Sequence, residues 1–178
     1  MRAPLQLTAL AVCCLSATGA APDPAAPVSD ALRSIAQRFA KNLVAAAEEM
    51  PADKYGFKPT PAQMSVGQVI LHVAQGNDYL CSQIGGVPAP KRSELAAGAS
   101  KAKLVRRLRE TFQFCESALA KLNDSNLGTK VPYFGDSEIS RAQAMFAAVE
   151  DWSGHYSQLA VYLRMNGLLP PTAKRGQS

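Results

Sequence analysis

The sequence predicts an all-α protein, a four-helix bundle whose helices are joined by crossover loops. Apolar residues recur every three or four positions in four segments, and no segment shows a convincing strand pattern. With 178 residues, 47% of them apolar and 19% charged, the chain is long enough for one domain with a sizeable core. The connections of about a dozen residues leave room for crossovers, so we do not expect a simple up-and-down order.

Residues 1–21 have the pattern of a secretory signal peptide. Arg2 supplies the positive start, residues 5–15 form a short apolar run, and small residues follow where a signal peptidase could cut. The apolar run is too short to cross a bilayer, which takes about 20 residues. We therefore expect an exported protein, periplasmic or secreted, with no integral membrane segment in the mature chain.

The N-terminal segment could also belong to a lipoprotein, and the bundle is flanked by a linker and a tail. Cys13 raises the alternative of a lipoprotein, but Val12 precedes it where a small residue is expected, so export without a lipid is favoured. Residues 22–28 form a Pro/Ala linker, residues 29–171 the helical bundle, and residues 172–178 a disordered tail.

The first two helices have clear boundary signals. Ser29 is the predicted N-cap of helix one, which Pro51 ends, and its apolar stripe continues to Met50. Ser65 is the predicted N-cap of helix two, and Gln68 three residues later completes a capping-box pattern. Glycines 85 and 86 close helix two.

The last two helices follow after irregular connections. Ser100 is the predicted cap of helix three, whose apolar residues lie three and four apart as far as Leu122. Helix four is predicted to begin near Ser137 or Ser140 and to run to Asn166, with Gly167 as its stop.

The two cysteines that remain after signal removal, Cys81 and Cys115, lie on helices two and three. An even count in an exported chain favours a disulfide between them. The alternative is a pair of buried free thiols, and a catalytic thiol is the least favoured interpretation.

The chain has two histidines, and both are candidates for one site. Asp151 and His155 are four residues apart, so their side chains share a face of helix four, and His72 lies at the edge of the stripe of helix two. Two imidazoles and a carboxylate suit a divalent metal such as zinc, nickel or iron and leave a coordination position open. Gln158 and Tyr162, one and two turns on, would orient these ligands.

The spacing of Asp151 and His155 is by itself weak evidence for a metal site. A histidine in an amphipathic helix is more often a hydrogen-bonded core or boundary residue than a metal ligand. The three side chains would then form a buried polar network with no ion.

Two sequence runs carry a resemblance to a known family. Residues 55–74, YGFKPTPAQMSVGQVILHVA, and residues 155–171, which begin HYSQL, resemble the loop, second helix and last helix of the DinB/YfiT-like metalloprotein family. The resemblance implies a four-helix bundle and a divalent metal held by three histidines, one on helix two and two in an H-x-x-x-H pair on helix four. His72 and His155 match that pattern, whereas Asp151 stands where the family has histidine.

The resemblance implies two functional hypotheses. In the first, the site persists as two histidines and one aspartate, in a metal-dependent hydrolase or a thiol-dependent transferase that acts on a small-molecule substrate or thiol. In the second, the site is degenerate and the bundle is a non-catalytic binding module. Neither identifies a catalytic residue, and the sequence leaves a homodimer open.

A nucleic-acid partner is not expected. The net charge is +5, but the positive residues gather only at 101–109, a stretch without the interleaved aromatic residues that stack on bases.

Overall fold

The computed structural model describes residues 26–174 and contains four long helices. They are α1 (Pro27–Glu49), α2 (Val66–Gly85), α3 (Lys101–Leu119) and α4 (Arg141–Met165), followed by a short α5 (Pro171–Lys174). A two-stranded antiparallel ribbon, β1 (Lys130–Pro132) and β2 (Glu138–Ser140), precedes α4. The predicted all-α bundle is confirmed. Between residues 26 and 174, no helix has the length and apolar character to cross a membrane.

The helix packing shows that the connection between α2 and α3 is a crossover. Helices α1 and α2 each pack against both α3 and α4. Helix α2 runs parallel to α3, since Asn77 meets Thr111 and Cys81 meets Cys115 one turn later. Helix α2 runs antiparallel to α4, since Tyr162 contacts Met64 near the start of α2. Because α2 and α3 are parallel neighbours, the connection 86–100 must return along the bundle, as a crossover does.

A buried polar group ties three helices together inside the apolar core. The Trp152 indole Nε1 donates to Asn77 Oδ1 at 2.7 Å, and Asn77 Nδ2 donates to Thr111 Oγ1 at 3.1 Å. The three residues are at most 1% exposed. Buried polar groups need such partners, so the α4 helix is stable in one register against α2.

Cys81 and Cys115 form the disulfide that the sequence favours. Both are buried and join the parallel helices α2 and α3 four residues beyond Asn77 and Thr111. Neither sulfur is a free thiol.

The helix-boundary signals are confirmed for α2 and α4. Ser65 and Gln68 form a capping box at the start of α2, and Ser140 and Gln143 form a second one at the start of α4. Gly167, with φ of +74°, follows the end of α4 in a conformation that glycine adopts without strain.

The prediction that Ser29 caps α1 is wrong. The helix begins earlier, at Pro27, so the last two residues of the predicted linker 22–28 are helical. Asp124, from the connection after α3, instead accepts hydrogen bonds from Val28 N at 3.0 Å, Ser29 N at 2.9 Å and Ser29 Oγ at 2.6 Å. These hydrogen bonds lower the pKa of Asp124, and the bond from the Ser29 hydroxyl has the largest effect. The N-terminus of α1 is thus capped from a distant part of the chain.

Two further expectations need correction. The sequence showed no convincing strand, whereas β1 and β2 form a three-pair ladder that is too short to produce a clear alternation. The predicted disordered tail 172–178 includes residues of α5: Thr172 Oγ1 accepts a bond from Tyr156 Oη at 2.8 Å, and Lys174 pairs with Glu49 at 2.7 Å. The predicted signal peptide 1–21, the rest of the linker as far as residue 25, and residues 175–178 lie outside the described residues.

The basic stretch 101–109 contacts other parts of the bundle. Lys101 Nζ donates to the carbonyls of Glu48 and Met50 at the end of α1, and Arg109 pairs with Glu48. A cation near the last carbonyls of a helix stabilises the helix end.

Candidate metal centre

The three predicted ligands meet where α2 and α4 pack. Asp151 and His155 are one turn apart on α4, and His72 faces them from α2. One ligand atom from each lies within 4.8 Å of the other two. The side chains of Asp151 and His155 are 20% and 16% exposed, whereas that of His72 is 51% exposed. The bond between Asn77 and Trp152, the neighbour of Asp151, fixes the register that brings them together.

The two spacings that involve Asp151 match a metal site better than a hydrogen-bonded cluster. Asp151 Oδ1 lies 3.4 Å from His72 Nε2 and 3.4 Å from His155 Nε2. Hydrogen bonds from nitrogen to oxygen centre on about 2.9–3.0 Å. Ligands bound at about 2.1 Å in a tetrahedron are about 3.4 Å apart. Both distances therefore equal a tetrahedral edge.

The second carboxylate oxygen of Asp151 supports the same interpretation. Oδ2 is buried and has no hydrogen-bond partner among residues 26–174. It lies beside Gly76, where an added Cβ would be 3.4 Å away. A buried carboxylate oxygen without a partner carries a desolvation cost that a cation would offset. The donor set, two imidazole nitrogens and a carboxylate, also fits a divalent ion.

A hydrogen-bond chain fixes the orientation of His155. The Met64 carbonyl can only accept, so the Tyr162 hydroxyl donates to it at 2.9 Å. Tyr162 then accepts from Gln158 Nε2 at 2.8 Å, and Gln158 therefore presents Oε1 to His155 Nδ1 at 3.0 Å. In the neutral imidazole the proton must be on Nδ1. The unprotonated Nε2 faces Asp151, as a metal ligand requires.

The proton affinity of His155 gives a first test of this geometry. The Asp151 carboxylate raises the pKa of His155 above its ordinary value, burial opposes the rise, and the Gln158 oxygen adds to it. In chelator-treated protein we expect NMR titration to give a His155 pKa above about 6.5, and Asp151→Asn to lower it. An unchanged pKa in that variant would show that the carboxylate does not act on His155.

The sign of the accompanying stability effect follows from linkage. Because the folded-state pKa of His155 is raised, its contribution to stability is complete below the unfolded-state pKa and is lost as the pH rises through the folded-state pKa. Metal binding needs the unprotonated Nε2, so affinity for a metal should increase over that same rise in pH.

The sequence predicted the residues that meet in this cluster but missed two neighbours that contribute to its geometry. His72, Asp151, His155, Gln158 and Tyr162 are all brought together as expected. The roles of Gly76, which leaves room for the carboxylate, and of the Met64 carbonyl were not predicted. A glycine inside a helix costs about 1 kcal/mol relative to alanine, and that cost is a signal that could have marked residue 76.

These features define a class of protein: a crossover four-helix bundle with a His/Asp/His cluster between its second and fourth long helices. Residues 35–159 match the DinB superfamily, so the chain belongs to that superfamily. No curated protein matches the sequence.

Solved structures share the fold at low sequence identity. A DinB-like protein from Bacillus subtilis is 19% identical with a TM-score of 0.60, covering 77% of this chain and 92% of its own. A DinB-like protein from Bacillus cereus is 15% identical with a TM-score of 0.65, covering 80% and 95%. A conserved protein from Enterococcus faecalis is 18% identical with a TM-score of 0.60, covering 76% and 94%. At these identities the likeness shows the fold alone.

Proposed function

We propose that this DinB-superfamily protein is exported and binds a divalent metal, zinc, nickel or iron, through His72, Asp151 and His155. One observation carries the proposal: two imidazole nitrogens lie at tetrahedral-edge distance from one carboxylate whose other oxygen is buried without a partner. Three protein ligands leave a coordination position open for a small molecule, which is the arrangement of catalytic rather than structural metal sites.

The residues around the cluster have separate roles in this proposal. Gln158 and Tyr162 hold His155 in the tautomer that ligates, and Gly76 makes room for Asp151. The half-exposed His72 leaves the outer side of the site open to solvent and ligands. When bound, the ion supplies Lewis acidity, which lowers the pKa of a coordinated water or thiol and polarises a carbonyl.

The reaction we propose is hydrolysis of a small molecule or transfer of a group to a thiol. Within residues 26–174 the cysteines are Cys81 and Cys115, and both are in the disulfide. A reacting thiol would therefore come from a small-molecule co-substrate rather than from this part of the chain. The same disulfide supports export, because such bonds persist in oxidising compartments.

A second candidate function is a non-catalytic binding module. The observation in its favour is that the Asp151 carboxylate, lying between two imidazoles, raises the pKa of His155. A protonated His155 could then stabilise the cluster without a metal.

Metal titration of chelator-treated protein separates the two candidates. We expect isothermal titration calorimetry with zinc, nickel and iron(II) to give one site per chain with micromolar or tighter affinity for at least one ion. Proton release should accompany binding, since the ligands must be deprotonated. If none of these ions binds at micromolar concentration, the metal-site proposal fails and the binding module is favoured.

A further inference from the structure

A cluster of aromatic side chains lies at the end of the α2/α4 groove nearest the ribbon. The Phe134 ring stacks on Tyr79 of α2, with centroids 4.7 Å apart and planes at 29°. Tyr133 packs edge-on against Phe134 at 4.8 Å. We call these three residues the aromatic platform. Phe134 is 58% exposed although it contacts both other rings.

The aromatic platform shares a helix face with the metal cluster. Tyr79 is seven residues after His72 and three after Gly76, so all three lie on the same side of α2. Gly76 is the residue beside Asp151 Oδ2, and Tyr79 is about 4.5 Å further along the axis. Helical side chains lean toward the N-terminus, so the Tyr79 ring is expected to lean toward Gly76. Strand β1 contacts both α2 and α4 and so keeps the ribbon over this groove.

The turn that carries Phe134 is fixed by its own hydrogen bonds. Tyr133 N donates to the Ser137 carbonyl at 2.8 Å, Ser137 Oγ donates to the Phe134 carbonyl at 2.8 Å, and Gly135 has φ of +68°. The ribbon is anchored separately by Val131, which is 5% exposed. The exposed face of Phe134 is therefore not needed to hold the ribbon, and its position is set before any ligand arrives.

We propose that the aromatic platform is a subsite for the small molecule that binds at the metal. It selects ligands that carry a planar aromatic group about one helical turn from their metal-binding atoms. Gly76, which makes room for Asp151, lies three residues before Tyr79, so at that position of α2 no side chain stands between the metal cluster and the platform. This inference rests on the proposed metal site and adds a class of substrate to it.

Two hydroxamate probes test the subsite, because both chelate zinc and only one carries a ring. We would measure acetohydroxamate and benzohydroxamate binding to zinc-loaded protein by calorimetry. The preference for benzohydroxamate should fall about three- to tenfold in Phe134→Ala, the size of one aromatic contact, with acetohydroxamate affinity unchanged. Tyr79→Ala should act in the same direction.

The matched control is Phe146→Ala. Phe146 is a second exposed phenylalanine, 72% exposed on α4, and this change should leave both affinities as they are. A benzohydroxamate preference that persists in Phe134→Ala overturns the subsite while leaving the metal site intact. If wild-type protein binds none of zinc, nickel and iron(II), the metal site itself fails and the subsite fails with it.

Discussion

Replacing Asp151 with alanine is expected to weaken zinc binding by at least about 100-fold. Loss of a group that only orients a ligand already costs 10- to 100-fold, and Asp151 Oδ1 lies 3.4 Å from the Nε2 of both imidazoles. The removed carboxylate is also the negative charge of the site. Calorimetric titration of the chelator-treated variant with zinc measures the change.

Glu150→Ala is the matched control for this prediction. Glu150 is the adjacent acidic residue on α4 but is exposed, so its removal should leave zinc affinity within about twofold. Asp151→His, which restores a third imidazole, should retain zinc binding. Equal zinc affinities for Asp151→Ala and the wild type would exclude Asp151 as a ligand.

Replacing Trp152 with alanine is expected to lower the free energy of unfolding by about 3–5 kcal/mol. The ring is 1% exposed, packs against Phe39 and Phe112 at centroid distances of 6.3 and 6.0 Å, and donates to Asn77. The milder Trp152→Phe keeps an aromatic ring but leaves Asn77 Oδ1 without its donor, at a cost of about 1–3 kcal/mol. Urea denaturation of the disulfide-intact protein measures both.

Phe146→Ala is again a suitable control, since it removes an exposed ring from the same helix and should change stability by no more than about 0.5 kcal/mol. If Trp152→Phe were as stable as the wild type, the bond to Asn77 would not contribute to the register of α2 and α4. The arrangement of the metal cluster would then need another explanation.

Local signals in the sequence predicted the elements whose causes are local. The capping box of Ser65 and Gln68 and the stop at Gly167 involve residues within one turn of each other, so the pattern is visible in the chain itself. The prediction that Ser29 is the N-cap of α1 failed because the capping side chain is that of Asp124, 95 residues away. No local pattern carries that information.

The same distinction between local and distant causes applies to the candidate site. Helical spacing placed Asp151 and His155 on one face, and His72, the other histidine of the chain, was a candidate from its place on the stripe of helix two. The family resemblance then matched His72 and His155. The hydrogen bond between Trp152 and Asn77 sets how α2 and α4 meet. Because these residues are 75 positions apart, no local sequence pattern predicts it. The stacking of Phe134 on Tyr79 depends on a ribbon whose three-residue strands give almost no periodic signal.

X-ray absorption spectroscopy of the zinc-loaded protein tests the central proposal most directly. We predict a first shell of nitrogen and oxygen at about 2.0–2.2 Å with the outer-shell scattering of two imidazoles, reduced to one imidazole in His155→Ala. A spectrum without imidazole scattering, or one with sulfur at about 2.3 Å, would contradict ligation by His72, Asp151 and His155.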